Sequence, residues 1–203
     1  MGATVTLLYR YLEIAKIIPD PVLATAMFYG LKTDTHGLSR GVSPTDEAAY
    51  LKLLTYLDHK KLVQVEQAGL DRDYFRALHR GLQAAKLFGK AVVARLGKLG
   101  WPDQGAEMAD LLIRFEGARA VLCQGQHEGT LHLSMRTKML EEDAGRLIQR
   151  VIVVPGRAGG HGSMAGGQVP VTDKPVDDIM EEIESRFLNV LGESGEGEPL
   201  LKD

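Results

Sequence analysis

The chain has 203 residues, 44% of them apolar and 25% charged, with a formal charge of −3 and a pI near 6.1. That is enough for one large domain or two small ones, and the mild acidity argues against a surface built to coat DNA or an anionic membrane. Cys123 is the only cysteine, no apolar run approaches a membrane span, and residues 1–10 carry no secretory leader pattern, so the sequence reads as a cytoplasmic protein without intrachain disulfides.

In chain order, residues 4–18 place Val5, Leu8, Leu12, Ala15 and Ile18 at helical spacing, with Leu7, Ile14 and Ile17 beside them. The apolar arc is wide, which predicts a helix buried around much of its circumference and preceded by something else. Asp20-Pro21 is a helix start, cap then proline, and that helix should end near Gly30. Beyond it, Asp34 has two readings: a turn carboxylate that caps backbone N–H groups, or a metal ligand with Thr35 or His36 close by. Ser43-Pro44-Thr45-Asp46 is a capping-box opening; its helix should close in the solvated charges of Asp58 to Lys61. A third amphipathic helix should run from Asp71 to about Phe88.

After Gly89 the texture changes. Ala91 to Leu96 reads as a strand, Asp103 to Phe115 as a helix, and Ala118–Gln124 with Thr130–Thr137 as a hairpin. Alternation along the second of these strands puts His132, Ser134 and Arg136 on one face. Arginine's planar fork suits phosphate, although a strand-end arginine is equally a solvated charge. Glu141 to Val151 should be a helix with Leu140, Ala144, Leu147 and Ile148 inward, leading through Ile152, Val153, Val154 and Pro155 to a glycine run. Gln168 to Val171 should be a short strand and Pro175 to Leu191 a final helix stopped by Gly192. The tail from Glu193 to Asp203 reads as disordered.

The glycine run itself is Gly159-Gly160-His161-Gly162-Ser163-Met164-Ala165-Gly166-Gly167, five glycines around one imidazole and one hydroxyl. Such a loop can be a tight connection and no more. It can also bring backbone N–H groups and His161 close to an anion.

Phe28-Tyr29-Gly30-Leu31-Lys32-Thr33-Asp34-Thr35, Leu133-Ser134-Met135-Arg136-Thr137 and the Gly159–Gly167 run, in that order and spacing, resemble the C-terminal part of the DHH phosphoesterase family. The resemblance runs from Thr4 to about Leu191. It implies an α/β fold: a mostly helical remnant of a DHH lobe (1–64), a connecting helix (65–88), a smaller mixed-sheet DHH-associated domain that binds substrate (89–192) and a disordered tail (193–203). The family's catalytic lobe holds two manganese ions, and Asp34 would correspond to its last ligand aspartate. Arg136, Gly159, Gly160, His161, Gly162 and Ser163 would bind the phosphate or nucleotide end of a short oligonucleotide, small nucleotide or polyphosphate.

The sequence departs from the family at its front. The Asp-His-His signature and two further metal motifs should precede Asp34, and only 33 residues do; Asp58-His59-Lys60 is no substitute. One aspartate cannot hold two ions and orient an attacking water. The expectation is therefore a truncated phosphodiesterase, inactive by itself, or a member that has kept recognition and lost chemistry, and the buried-looking first helix favours truncation. The sequence is compatible with two other outcomes. One is a non-catalytic module for nucleotides or single-stranded nucleic acid; the other is a fold remnant forming a homo-oligomer through surface bared by the absent lobe.

Overall fold

The structure is a computed structural model that describes residues 2–39, 41–139, 141–152, 156–172 and 174–201. Leu140 and the Val153-Val154-Pro155 approach to the glycine run lie outside the described residues. The chain divides into two compact units, residues 1–70 and 71–203.

The first unit is helical: α1 (Thr4–Ile14), α2 (Pro21–Asp34), α3 (Pro44–Leu54) and α4 (His59–Glu66). The Asp20 carboxylate accepts from the backbone N–H of Val22 and Leu23, so α2 starts where its cap and proline predict. It runs past Gly30 to Asp34. The core is Tyr9, Ala24, Met27, Phe28, Leu31, Ala49, Leu53 and Leu57. Two expectations do not hold in this unit. α1 buries only Thr6 and Tyr9 of its residues, while Leu8, Ile14 and the following Ile18 are 51, 74 and 71% exposed; a wide apolar arc states what a helix would bury, not what is present to cover it. The charges from Asp58 to Lys61 do not simply close α3. Asp58 accepts from the N–H of Lys60 and Lys61 and opens α4.

The second unit is a mixed α/β sandwich made of α5 (Arg72–Ala84), β1 (Ala85–Phe88), β2 (Ala91–Lys98), α6 (Gln104–Leu112), β3 (Ala120–His127), β4 (Thr130–Thr137), α7 (Ala144–Val151), β5 (Arg157–His161), β6 (Met164–Pro170), α8 (Val176–Leu191) and β7 (Glu198–Pro199). The strands form one sheet in the order β5-β6-β4-β3-β2-β1-β7. Among the described residues only β2 and β3 pair in parallel, and α6 is the crossover that a parallel pair needs. Alternation sends Leu131, Leu133 and Met135 of β4 into a core with α7 and α8, around Leu147, Ile148, Ile183 and Phe187. Val92, Ala94, Val121 and Cys123 face the opposite side, toward Leu82 of α5 and Met108 and Leu112 of α6. Each valine, leucine, isoleucine, methionine or phenylalanine side chain among these contributes about 1.5–3 kcal/mol when fully buried.

The helix expected to reach Phe88 stops at Ala84, because Ala85–Phe88 pairs with β2. The short strand expected at Gln168 begins earlier, at Met164. The tail expected to be disordered places Glu198 and Pro199 against β1, after Gly192 has closed α8 with a left-handed φ of 72°.

Candidate functional site

The glycine run, expected as a loop, is an antiparallel hairpin. β5 and β6 pair from Arg157↔Gln168 to His161↔Met164, leaving Gly162-Ser163 as a two-residue turn. Gly162 has φ +56°, the positive value that a glycine-first hairpin turn demands. The turn is tied to the start of α7 by Asp143, whose Oδ1 accepts from Gly145 and Arg146 N–H while Oδ2 accepts from Gly162 N–H at 2.6 Å. The Gly162 N–H is the largest cause of a lowered Asp143 pKa.

The remaining glycines are not equivalent. A Cβ on Gly160 would lie 2.3 Å from the Met164 carbonyl oxygen, so backbone packing requires that glycine, while one on Gly167 would lie 2.0 Å from Ile152 Cδ1, a side-chain end that can turn away. A Cβ on Gly159 would meet nothing within 4 Å. Gly159 is bare surface.

β6 also pairs with β4, with Ser134↔Gly166, Arg136↔Met164 and His132↔Gln168 in register. Directly opposed residues in antiparallel strands share a face. Three cross-strand rows therefore lie side by side on the α6 side of the sheet: Arg136–Met164–His161, Ser134–Gly166–Gly159 and His132–Gln168–Arg157. These rows line a cleft of about 610 Å³, walled by Pro102, Asp103 and Ala106 at the start of α6.

The Arg136 guanidinium is engaged. Nε and Nη2 donate to the two carboxylate oxygens of Asp110 at 2.5 and 3.0 Å, and Nη1 donates to the Met135 carbonyl at 3.0 Å. Its side chain is only 11% exposed, against 47% for Asp110. Three of five N–H donors are thus used, which fixes the fork and leaves two for an anion. Among the described residues no side-chain hydrogen bond or ion pair occupies His161 or Arg157. His132 has its pKa lowered, first by burial and then by the neighbouring His127, whose ring lies 6.1 Å away edge-on.

Of the residues singled out in the sequence, Arg136, Gly159, Gly160 and His161 line the one cleft. Gly162 and Ser163 form the turn beside it, and the Ser163 carbonyl accepts from Thr137 N–H. Asp34 lies exposed in the first unit, at the end of α2, where the Thr35 hydroxyl donates back to the Leu31 carbonyl. Among the described residues no three His, Cys, Asp or Glu side chains gather to hold a metal ion. Asp34 with its surroundings does not fit the two-manganese centre that the family resemblance implies, and no chemical step is derived through one. Sequence reasoning overlooked Asp103, Asp110, Arg157 and Gln168. The Gly162-Ser163 turn was the available signal for the last two, since a two-residue turn there fixes the hairpin register.

The DHHA1 domain family matches residues 88–189, from the end of β1 through most of α8. An uncharacterized protein of Methanocaldococcus jannaschii, MJ1633, is 28% identical over 201 residues, covering 95% of this chain and 41% of that protein. The crystal structure of an exopolyphosphatase-related protein from Bacteroides fragilis superposes with a TM-score of 0.70 at 14% identity, over 94% of this chain and 58% of that one. The chain thus spans less than two thirds of either relative's length. The likeness to the Bacteroides protein establishes the fold, and the match over half of the sequence establishes the family, as the motif order around Arg136 and His161 implied: the chain belongs to the DHHA1 domain family, on a DHH phosphoesterase-like fold.

Proposed function

We propose that this chain is the substrate-gripping part of a DHH-type phosphoester hydrolase, acting in the cytoplasm on short oligonucleotides, small nucleotides or polyphosphate. The observation that carries this reading is the row Arg136–Met164–His161, which brings a clamped guanidinium and an unpartnered imidazole to one end of a cleft. The two N–H donors left on Arg136 and a ring N–H of His161 can donate to the oxygens of a terminal phosphate, the negative charge strengthening each bond. Asp110 holds the guanidinium plane so that little rotamer freedom is lost on binding. The residues named here bind and orient; they do not themselves activate water.

Calorimetry with adenosine monophosphate tests the grip. His161→Ala removes an exposed side chain with no structural partner, and Arg136→Gln removes the fork while keeping a partner for Asp110. Loss of one charge-assisted hydrogen bond should weaken binding by about ten-fold or more in each variant. Unchanged affinity in both would refute the assignment.

A further inference from the structure

We infer that the row His132–Gln168–Arg157, at the opposite end of the cleft from Arg136 and His161, is a nucleobase-reading end, so that the site takes a nucleotide lengthwise and disfavours bare polyphosphate. The inference rests on the phosphate grip proposed above and specifies its ligand. His132 and Arg136 are four residues apart on one strand, which separates the outer rows by roughly 13 Å. One phosphate cannot touch both. A nucleoside monophosphate has three segments, and the cleft has three rows.

Chemistry differs along the cleft in the same order. The Arg136–His161 end presents donors to an anion. In the middle row Gly159 and Gly166 carry no Cβ and Ser134 carries a short one, so a sugar can lie against the backbone. The far end mixes donors and acceptors: the Gln168 amide offers both, Arg157 offers a planar donor face that also stacks on aromatic rings, and the Asp103 carboxylate on the wall accepts. The depressed basicity of His132 leaves it a neutral ring with one donor and one acceptor. A base edge uses such a set. A polyphosphate chain presents anionic acceptor oxygens along its length near neutral pH, and extended along the cleft it would meet Asp103 with like charge.

The test is calorimetry on the full chain with adenosine monophosphate, ribose 5-phosphate and tripolyphosphate, using the parent, Gln168→Ala, Arg157→Ala and His161→Ala. Gln168 and Arg157 are exposed on their strands, so both variants should fold as the parent does. Expected is an adenosine monophosphate affinity about ten-fold or more above that of ribose 5-phosphate. Gln168→Ala and Arg157→Ala should close that gap and leave ribose 5-phosphate unchanged, while His161→Ala weakens both ligands alike. Equal binding of the two by the parent, parallel weakening of both in Gln168→Ala and Arg157→Ala, or tighter binding of tripolyphosphate than of adenosine monophosphate overturns the base-reading end and leaves the phosphate grip standing. Failure of all three ligands to bind overturns the grip as well.

Discussion

Asp46 shows how much one side chain can carry. It is fully buried, and its carboxylate accepts from Gly2 N–H, Ser43 N–H, the Ser43 hydroxyl and the Thr6 hydroxyl. Burial alone would raise its pKa, but the donors from Ser43, Thr6 and Gly2 outweigh it and hold the carboxyl well below the usual carboxylate range. Because the folded value lies below the unfolded one, this stabilisation is complete above about pH 4 and is lost as the pH falls through the folded value. Asp46→Asn should cost about 2–3 kcal/mol at neutral pH, read by urea unfolding in far-ultraviolet circular dichroism. Between pH 4 and 2 the variant should lose less stability than the parent; an equal loss would show that Asp46 is not the titrating group. The Ser43–Asp46 capping box was legible in the sequence, since its partners are three residues apart. Gly2 and Thr6 were not, since they stand 44 and 40 residues from Asp46 in the sequence.

The same contrast between local and distant partners decides which elements could be read. α2 and α3 announce themselves through their N-caps, α7 through its apolar spacing, α8 through its apolar spacing and the stop at Gly192, and β4 through alternation of buried and half-buried residues. β1 carries four residues that fit either a helix end or a strand, and only pairing with β2 decides between them. The β5–β6 hairpin is the strongest case, because glycine is a poor strand former by itself. Gly160 reflects close neighbours on both sides: its own Cβ would lie 2.3 Å from the Met164 carbonyl oxygen, and a Cβ on Gly145 of α7 would lie 2.3 Å from the Gly160 carbonyl oxygen, so helix and strand approach backbone to backbone. Arg136 and His161 were legible as a pair from motif order, whereas Arg157 and Gln168 became site residues only through this register. Two substitutions separate packing glycines from surface ones. Gly160→Ala drives a methyl into β6 and should cost about 1–3 kcal/mol, followed by fluorescence of Trp101, the only tryptophan. Gly159→Val should unfold with the parent, since its Cβ meets nothing, yet weaken adenosine monophosphate binding about ten-fold by filling the middle row. Equal stability in the two variants would contradict the hairpin register.

At the scale of the whole chain, every part of the cleft lies in the second unit. Its floor is β4, β6 and β5, its wall is the start of α6, and the tie that sets the turn comes from Asp143 at the head of α7. The two cores that hold the sheet, one toward α7 and α8 and the other toward α5 and α6, draw only on residues between Leu78 and Leu200. The core of the first unit draws only on residues between Ala3 and Leu62. Among the described residues the first unit supplies no side chain to the lining of the cleft. A domain folds independently when its hydrophobic contacts close within it, and ligand affinity then follows the unit that holds the site. Residues 71–203 expressed alone should therefore unfold cooperatively, with a Trp101 transition matching that of the full chain. Their affinity for adenosine monophosphate should stay within about two-fold of the full-chain value, a difference below about 0.5 kcal/mol. A fragment that folds but binds at least ten-fold more weakly would place part of the grip on residues 1–70, and Asp34 would be the first side chain to substitute in the full chain. A fragment that fails to fold would show that the sheet depends on contacts outside its own two cores.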